Sequence, residues 1–277
     1  MLFISKVQII IDWLRRKPIL SKRRKSKEKV YEEEYSREYT SYPKGTLFGI
    51  SFSNNPEQQE LIRLINENRT PIIYCFGDAG TGKTFTALAA ALDLVKLKKK
   101  YRKIYYIREP EEVGKSLGFL PGDLGDKYGV YLGGLEDNLN NISEMTGINV
   151  RDLKYFIEGI PPQYTRGRSF MQGSILIVDE AQNLTLDTIQ TLCTRIGKFS
   201  KIIFLGSLKQ VDNKALKGHN NDFKKSYEIL MENEATKDLV GRIDLIKSER
   251  SDYCRVLDEA FNSYKEQKEV SRDSALK

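Results

Sequence analysis

Short apolar runs recur along the chain, and each ends abruptly in glycine or in charged residues. The clearest cover residues 72–76, 104–107, 174–178, 201–205 and 242–246. Most of these runs are continuous rather than alternating, which predicts strands buried on both faces. Between them lie stretches with apolar residues three and four apart. Residues 54–70 carry Leu61, Ile62, Leu64 and Ile65 on one face, with Asn54 or Asn55 as cap and Pro56 in the first turn. Residues 85–95, 186–195 and 223–231 read as further helices, and a terminal helix carries Val256, Leu257, Ala260, Phe261 and Tyr264. Residues 127–160 read as interrupted helix, weakened by Gly133-Gly134 and stopped by Pro161-Pro162, with Leu153, Phe156 and Ile157 as a satellite core. Strands alternating with helices predict an α/β fold, a mostly parallel sheet covered by helices on both faces. In such sheets chemistry collects at the carboxyl ends of the strands.

The 277 residues suffice for one sizeable domain with appended elements. Residues 45–264 are expected to form that domain, 1–44 an N-terminal extension and 265–277 a charged, frayed tail. The apolar run near the start is broken by Lys6, Gln8 and Asp12, too short and interrupted to span a bilayer, so no integral membrane segment is expected. It reads as an element packed on the domain or bound to a partner, with a membrane-surface helix as the alternative. Lys22-Arg23-Arg24-Lys25-Ser26-Lys27 is either an arm that holds phosphates or a solvated linker. Tyr31, Tyr35, Tyr39 and Tyr42 form a helical stripe suited to docking. A net charge of +7 permits nucleic-acid or anionic-membrane contact without requiring either. Cys75, Cys193 and Cys254 stand singly and His219 is the one histidine, which argues against a zinc cluster and for a reducing, cytoplasmic setting.

The first strand runs into Gly77-Asp78-Ala79-Gly80-Thr81-Gly82-Lys83-Thr84 and then a helix, the order a phosphate-binding loop requires. Glycines let consecutive amides converge on a phosphate, Lys83 reaches the β and γ phosphates of ATP, and Thr84 is placed to hold Mg²⁺. The strand at 174–178 ends in Asp179-Glu180. Asp179 would arrange Mg²⁺ opposite Thr84, and Glu180 would polarise an attacking water; the alternative is a carboxylate pair capping the next helix. Gly206-Ser207 ends another strand, which makes Ser207 and Gln210 candidates for sensing the γ-phosphate. Gln58, upstream of the loop, can read an adenine edge with its amide or be a surface residue of a capped helix. Arg250, just past the last strand, is a candidate finger for γ-phosphoryl charge, in cis or across a subunit contact.

Two further stretches point away from the nucleotide. Arg108-Glu109-Pro110 follows the second strand and leads through Lys115 into Leu117-Gly118-Phe119-Leu120-Pro121-Gly122-Asp123-Leu124, a stiff surface loop. Tyr164-Thr165-Arg166-Gly167-Arg168-Ser169-Phe170 sets two guanidiniums about a glycine. Arg108, Lys115, Arg166 and Arg168 are the candidate contacts for single-stranded RNA or DNA.

Together the phosphate loop, the 117–124 run, the Arg166–Arg168 run, Asp179-Glu180-Ala181-Gln182-Asn183 and Leu192-Cys193-Thr194-Arg195-Ile196-Gly197 give a chain that resembles the PhoH family of P-loop ATPases, related in core to superfamily 1 helicases, over about residues 54–264. The resemblance implies ATP binding and hydrolysis with Mg²⁺, an association with RNA unwinding or turnover, and a homo-oligomeric, hexameric ring. It assigns Gln58 to adenine, Asp179 and Glu180 to Mg²⁺ and water, and Arg250 to the late arginine. Two departures stand out. The family usually has Arg-Pro where this chain has Arg108-Glu109-Pro110, and Gly-Asp where it has Gly206-Ser207, which bears on turnover more than on binding. A nucleotide-gated scaffold with slow hydrolysis is the rival of a different class, and a kinase is the enzymatic rival.

Overall fold

The computed structural model describes residues 46–109, 132–167, 169–208 and 221–249, together with Tyr253, Val256, Leu257, Ala260, Ser263 and Tyr264. Among the described residues six parallel strands make one sheet: β1 (Ile72–Gly77), β2 (Lys103–Arg108), β3 (Ile157–Ile160), β4 (Ser174–Asp179), β5 (Lys201–Gly206) and β6 (Val240–Leu245), in the spatial order β3-β2-β4-β5-β1-β6. The helices are α1 (Pro56–Asn66), α2 (Lys83–Leu92, continued by a π-helical turn over Asp93–Leu97), α3 (Gly133–Thr146), α4 (Val150–Lys154), α5 (Leu186–Arg195) and α6 (Asp222–Glu232).

Alternation along each strand divides the core in two. Ile73 and Cys75 of β1, with Ile175 and Ile177 of β4 and Ile203 and Leu205 of β5, face the side covered by α1, α2 and α3. Tyr74 and Phe76, with Leu176, Val178, Ile202 and Phe204, face the side covered by α5 and α6. Both faces are therefore dry, which is why the strands read as unbroken apolar runs. On the second face Tyr74 stacks on Phe204 (ring centroids 5.0 Å apart) and on Phe223 of α6 (5.5 Å), and its hydroxyl pairs with Ser226 at 3.0 Å. These aromatic contacts fix α6 beneath β1 and β5.

The expected helices at 54–70, 186–195 and 223–231 are present within a few residues, and Asn55 caps α1 as anticipated. One element differs. Residues 157–160 are an edge strand paired in parallel with β2, not the end of a helix. Its four residues, Ile-Glu-Gly-Ile, of which the first three are half-exposed and Ile160 is buried, are too few to set a period. Cross-strand pairing holds it, including an ion pair between Lys103 and Glu158. Gly134, expected to weaken α3, lies in its first turn, where a side chain would crowd the Arg108 guanidinium.

Lys201 enters β5 fully buried, and its ammonium donates to the carbonyls of Leu64, Glu67 and Thr70 at 3.0, 2.7 and 2.6 Å. Burial pushes its pKa down to about 7, while the three carbonyls together take up all three ammonium hydrogens. The end of α1, the turn leading into β1 and the start of β5 are thereby tied at one point. Lys201→Met is expected to lower stability by about 2–3 kcal/mol, because buried carbonyls lose their donors. Urea unfolding measures this, and an unchanged midpoint would refute the assignment.

Candidate nucleotide site

The loop between β1 and α2 is shaped by its glycines. A side chain at Gly77 would lie 2.7 Å from the Leu245 carbonyl oxygen of β6, so β1 and β6 approach closely there. Gly80 and Gly82 take left-handed backbone angles (φ 81° and 79°), which glycine adopts without strain. No side chain caps α2 at Gly82, which leaves its first-turn amides without that competitor for an anion. The Thr81 hydroxyl donates to the Asp78 carbonyl at 3.0 Å and closes the loop on itself. The Lys83 ammonium lies across the loop, donating to the carbonyls of Gly77 and Asp78 at 2.8 and 2.9 Å.

Strand β5 lies between β1 and β4, and the ends of all three strands converge. The Thr84 hydroxyl donates to Asp179 Oδ1 at 2.9 Å, joining the phosphate loop to the carboxylates across β5. Asp179 is buried, and its second oxygen accepts from the Tyr106 hydroxyl at 2.5 Å. Burial, followed by the negative charge of Asp179, holds the Tyr106 hydroxyl protonated well above its usual range. Tyr106 thus acts on Asp179 as a donor only. Thr84 and Asp179 offer hard oxygen donors side by side, which fits a Mg²⁺ ion.

Glu180 has a left-handed backbone (φ 51°), uncommon for a residue with a side chain. Gln182 Nε2 donates to Glu180 Oε2 at 2.6 Å, and Gln182 Oε1 accepts the Ser207 amide at 3.0 Å. One buried amide side chain therefore links the carboxylate after β4 to the end of β5. Burial raises the Glu180 carboxyl above its ordinary range, and the charge of Asp179 adds to this; Gln182, Arg108 and Lys83 oppose it. The carboxylates do not cap α5, whose first turn is capped by the Thr185 hydroxyl. Ser207 is buried, with its hydroxyl 3.4 Å from Asp78 Oδ1. A side chain at Gly206 would lie 2.7 Å from Gln182 Oε1 and would also strike the Phe223 ring, so only glycine fits below the bridge.

Gln58 is buried against the loop and donates to the Thr81 carbonyl at 3.2 Å, while its own amide is capped by Asn55 Oδ1 at 3.1 Å. Asn55 Nδ2 in turn donates to Glu249 Oε1 at 2.6 Å, and the Glu249 amide donates to the Gly80 carbonyl at 2.8 Å. The segment after β6 is thus fastened both to α1 and to the phosphate loop. Neither this fastening nor the Tyr106 contact is part of the sequence reading. A tyrosine hydroxyl inside a buried strand is the only signal that pointed to the latter.

The structure brings together Gln58, Gly77 through Thr84, Asp179, Glu180 and Ser207, with the Arg108 charge acting on Glu180. Arg166 is exposed, along the same edge of the sheet beyond β3. Lys115, Arg168, Gln210, Arg250 and the 117–124 run lie outside the described residues, as do the basic arm and the tyrosine stripe. Cys75 is buried and Cys193 half-buried, both as free thiols. Among the described residues no helix is long and apolar enough to cross a membrane.

A parallel sheet with a phosphate loop after β1 and paired carboxylates after β4, two strands away, defines the class of P-loop nucleotide-binding proteins. Within that class the chain belongs to the family described as PhoH-like protein, which matches residues 52–268. It is 33% identical over 211 residues to Protein PhoH2 of Bacillus subtilis, covering 74% of this chain and 46% of that protein. It is 33% identical over 189 residues to a PhoH-like protein of the same organism, covering 68% and 57%. The chain therefore spans about half the length of the curated relatives it matches. Among solved structures it is similar to the Sulfolobus solfataricus SWI2/SNF2 ATPase core in complex with dsDNA, at 16% identity and a TM-score of 0.40, covering 72% of this chain and 46% of that one.

Gln182→Ala would release both Glu180 and the Ser207 amide while leaving the phosphate loop in place. The expected result in a steady-state ATPase assay is a fall in kcat of about tenfold, equivalent to about 1.4 kcal/mol of barrier, with KM for ATP within about twofold of the wild type. A rise in KM at constant kcat would refute this role.

Proposed function

We propose that the chain binds ATP with Mg²⁺ and hydrolyses it by in-line attack of water, coupled to single-stranded RNA or DNA held along the carboxyl edge of the sheet. One observation carries the reading: the Thr84 hydroxyl rests on Asp179, with Glu180 beside it, at the mouth of a phosphate loop. Loop amides and Lys83 would bind the β and γ phosphates, with Lys83 exchanging its two carbonyl partners for phosphate oxygens. Thr84 and Asp179 would hold Mg²⁺, which when bound supplies neutralising charge to the phosphates. Glu180 would orient and deprotonate the water. Gln182 would keep Glu180 aimed and report its state to Ser207 at the end of β5. Gln58, seated on the loop beside Gly82, is placed to combine adenine contact with loop support.

Arg108, Lys115, Arg166 and Arg168 would carry the phosphates of the single strand, and Gln210 would extend the sensor segment after Ser207. A second wall for the cleft would come from a neighbouring copy, with Arg250 reaching across the contact in a homo-oligomer. The resemblance implies a hexameric ring. A specific observation also favours a second reading. Ser207 puts a hydroxyl where the resembled family usually has a carboxylate, which suits slow turnover in a nucleotide-gated scaffold.

ATPase assays with and without single-stranded RNA and DNA separate the two readings. The motor predicts stimulation by nucleic acid and a loss of about 100-fold or more in Lys83→Ala and Glu180→Gln. Nucleotide-dependent assembly with a turnover rate indifferent to nucleic acid would instead establish the scaffold. The pH profile gives a further test. Glu180 must be ionised to act as base, and its carboxyl is raised above the ordinary 4.5. On lowering the pH, kcat/KM should therefore fall with a midpoint above that value, and Glu180→Gln should abolish this limb. A limb at or below 4.5 would rule out Glu180 as the base.

A further inference from the structure

Along the same edge, on the side of α5, a cavity of about 400 Å³ opens between the end of β2, the turn after β3 and the first turns of α5. Its volume is within the range of small-molecule sites. Glu109 and Gln163 form one wall, Thr185, Thr188 and Thr191 the other, and Arg166 stands at the rim. The three threonines recur three residues apart, so their hydroxyls share one face of α5.

On the side of Glu109 the lining is that of an acceptor, while Asn183, Gln163 and Arg166 also carry donor groups. Gln163 Nε2 donates to Glu109 Oε1 at 2.5 Å, which commits part of the amide. The Thr191 hydroxyl donates to the Asp187 carbonyl at 2.8 Å and is left with lone pairs. The Thr185 and Thr188 hydroxyls are 2.9 Å apart, so one of their two hydrogens is used between them. Glu109 is an ionisable carboxyl whose pKa burial has raised, and among the described residues Gln163 is the side chain hydrogen-bonded to it. A phosphate, which only accepts, is disfavoured against that wall, whereas a hydroxyl that donates is favoured. Arg166 at the rim has the opposite preference and suits a phosphate. A ligand with an anion outside and hydroxyls inside meets both demands.

We propose that this cavity seats the ribose of a single-stranded RNA nucleotide, with Glu109 accepting from the 2′-hydroxyl and thereby selecting RNA over DNA. The inference rests on the reading that a single strand lies along this edge, and adds which polymer it is and which residue tells the two apart. The 2′-hydroxyl both donates and accepts, so it can satisfy Glu109 and the threonine hydroxyls together. Glu109 also stands between Arg108 and Pro110, where the family usually has Arg followed directly by Pro. The selecting carboxylate therefore lies outside the motifs that carry the resemblance.

The test is fluorescence anisotropy of the full chain at fixed salt with labelled oligo(U) and oligo(dU) of equal length, which differ only at the 2′ position. The readout is the ratio of the two affinities, because loss of a negative charge strengthens binding of both polymers alike. Wild type is expected to bind oligo(U) about tenfold more tightly, the value of one hydrogen bond to a charged group. Glu109→Gln should bring the ratio down to within about threefold, with Thr188→Val intermediate, since each weakens or removes part of the 2′-hydroxyl contact. Binding of oligo(dU) retained in both variants shows that they are folded. A wild-type ratio near one, or a ratio unmoved by Glu109→Gln, overturns the proposal and leaves single-strand binding standing. Failure of the wild type to bind either oligonucleotide overturns the single-strand reading along with it.

Discussion

The hydrogen bond between Thr84 and Asp179 depends on a constraint of the sheet. Parallel strands deliver all their carboxyl ends to one edge, and β5 lies between β1 and β4, so the loop after β1 meets the carboxylates after β4 across one intervening strand. Strand spacing sets the gap between them at about 10 Å, two inter-strand steps. A loop of glycines and a helix start can bridge it only if β5 ends in something small. Gly206 and Ser207 meet that condition, and Gln182 uses the space so left to join Glu180 to the β5 amide. A bulkier residue at 206 would displace the bridge and, with it, the aim of Glu180.

Around this centre charges are held by neighbours rather than by solvent. Asp179 is surrounded by donors from Thr84, Tyr106 and the Glu180 amide. Glu180 has fewer, and burial raises its carboxyl above the ordinary range. Two carboxylates in sequence thus acquire different surroundings: Asp179 is pinned by three donors, while the Glu180 carboxyl is raised by burial and held by Gln182. The opposite wall is held more mechanically. Asn55, Gln58 and Glu249 fasten α1 and the segment after β6 to the carbonyls of Gly80 and Thr81, so the loop after β1 is braced from behind.

Much of this was legible in the sequence, for a physical reason. A strand buried on both faces must be apolar throughout, and a phosphate loop needs glycine at fixed places, so β1, β4, β5 and the Gly77–Thr84 loop stand out in one dimension. What escaped is what depends on the third. Strand β3 is short, polar in part and defined by pairing with β2 rather than by its own pattern. The Gln182 bridge requires knowing that β5 lies beside β4, and the Glu249 tie requires knowing that β6 flanks β1. The sheet order supplies both and no local motif encodes either. Sequence made Gln58 a candidate reader of adenine. Its place against Thr81 adds a brace for the loop, a role that amide chemistry allows and spacing alone does not reveal.

The central claim is that water, positioned by Glu180, attacks the γ-phosphate of ATP bound at this loop. Turnover in water enriched in heavy oxygen, with mass analysis of the products, examines this directly. Direct attack places the heavy oxygen in the inorganic phosphate and leaves the ADP unlabelled, with labelled phosphate forming about 100-fold or more slowly in Glu180→Gln. Label in the ADP, or nucleotide that binds and is never converted to phosphate, would contradict it.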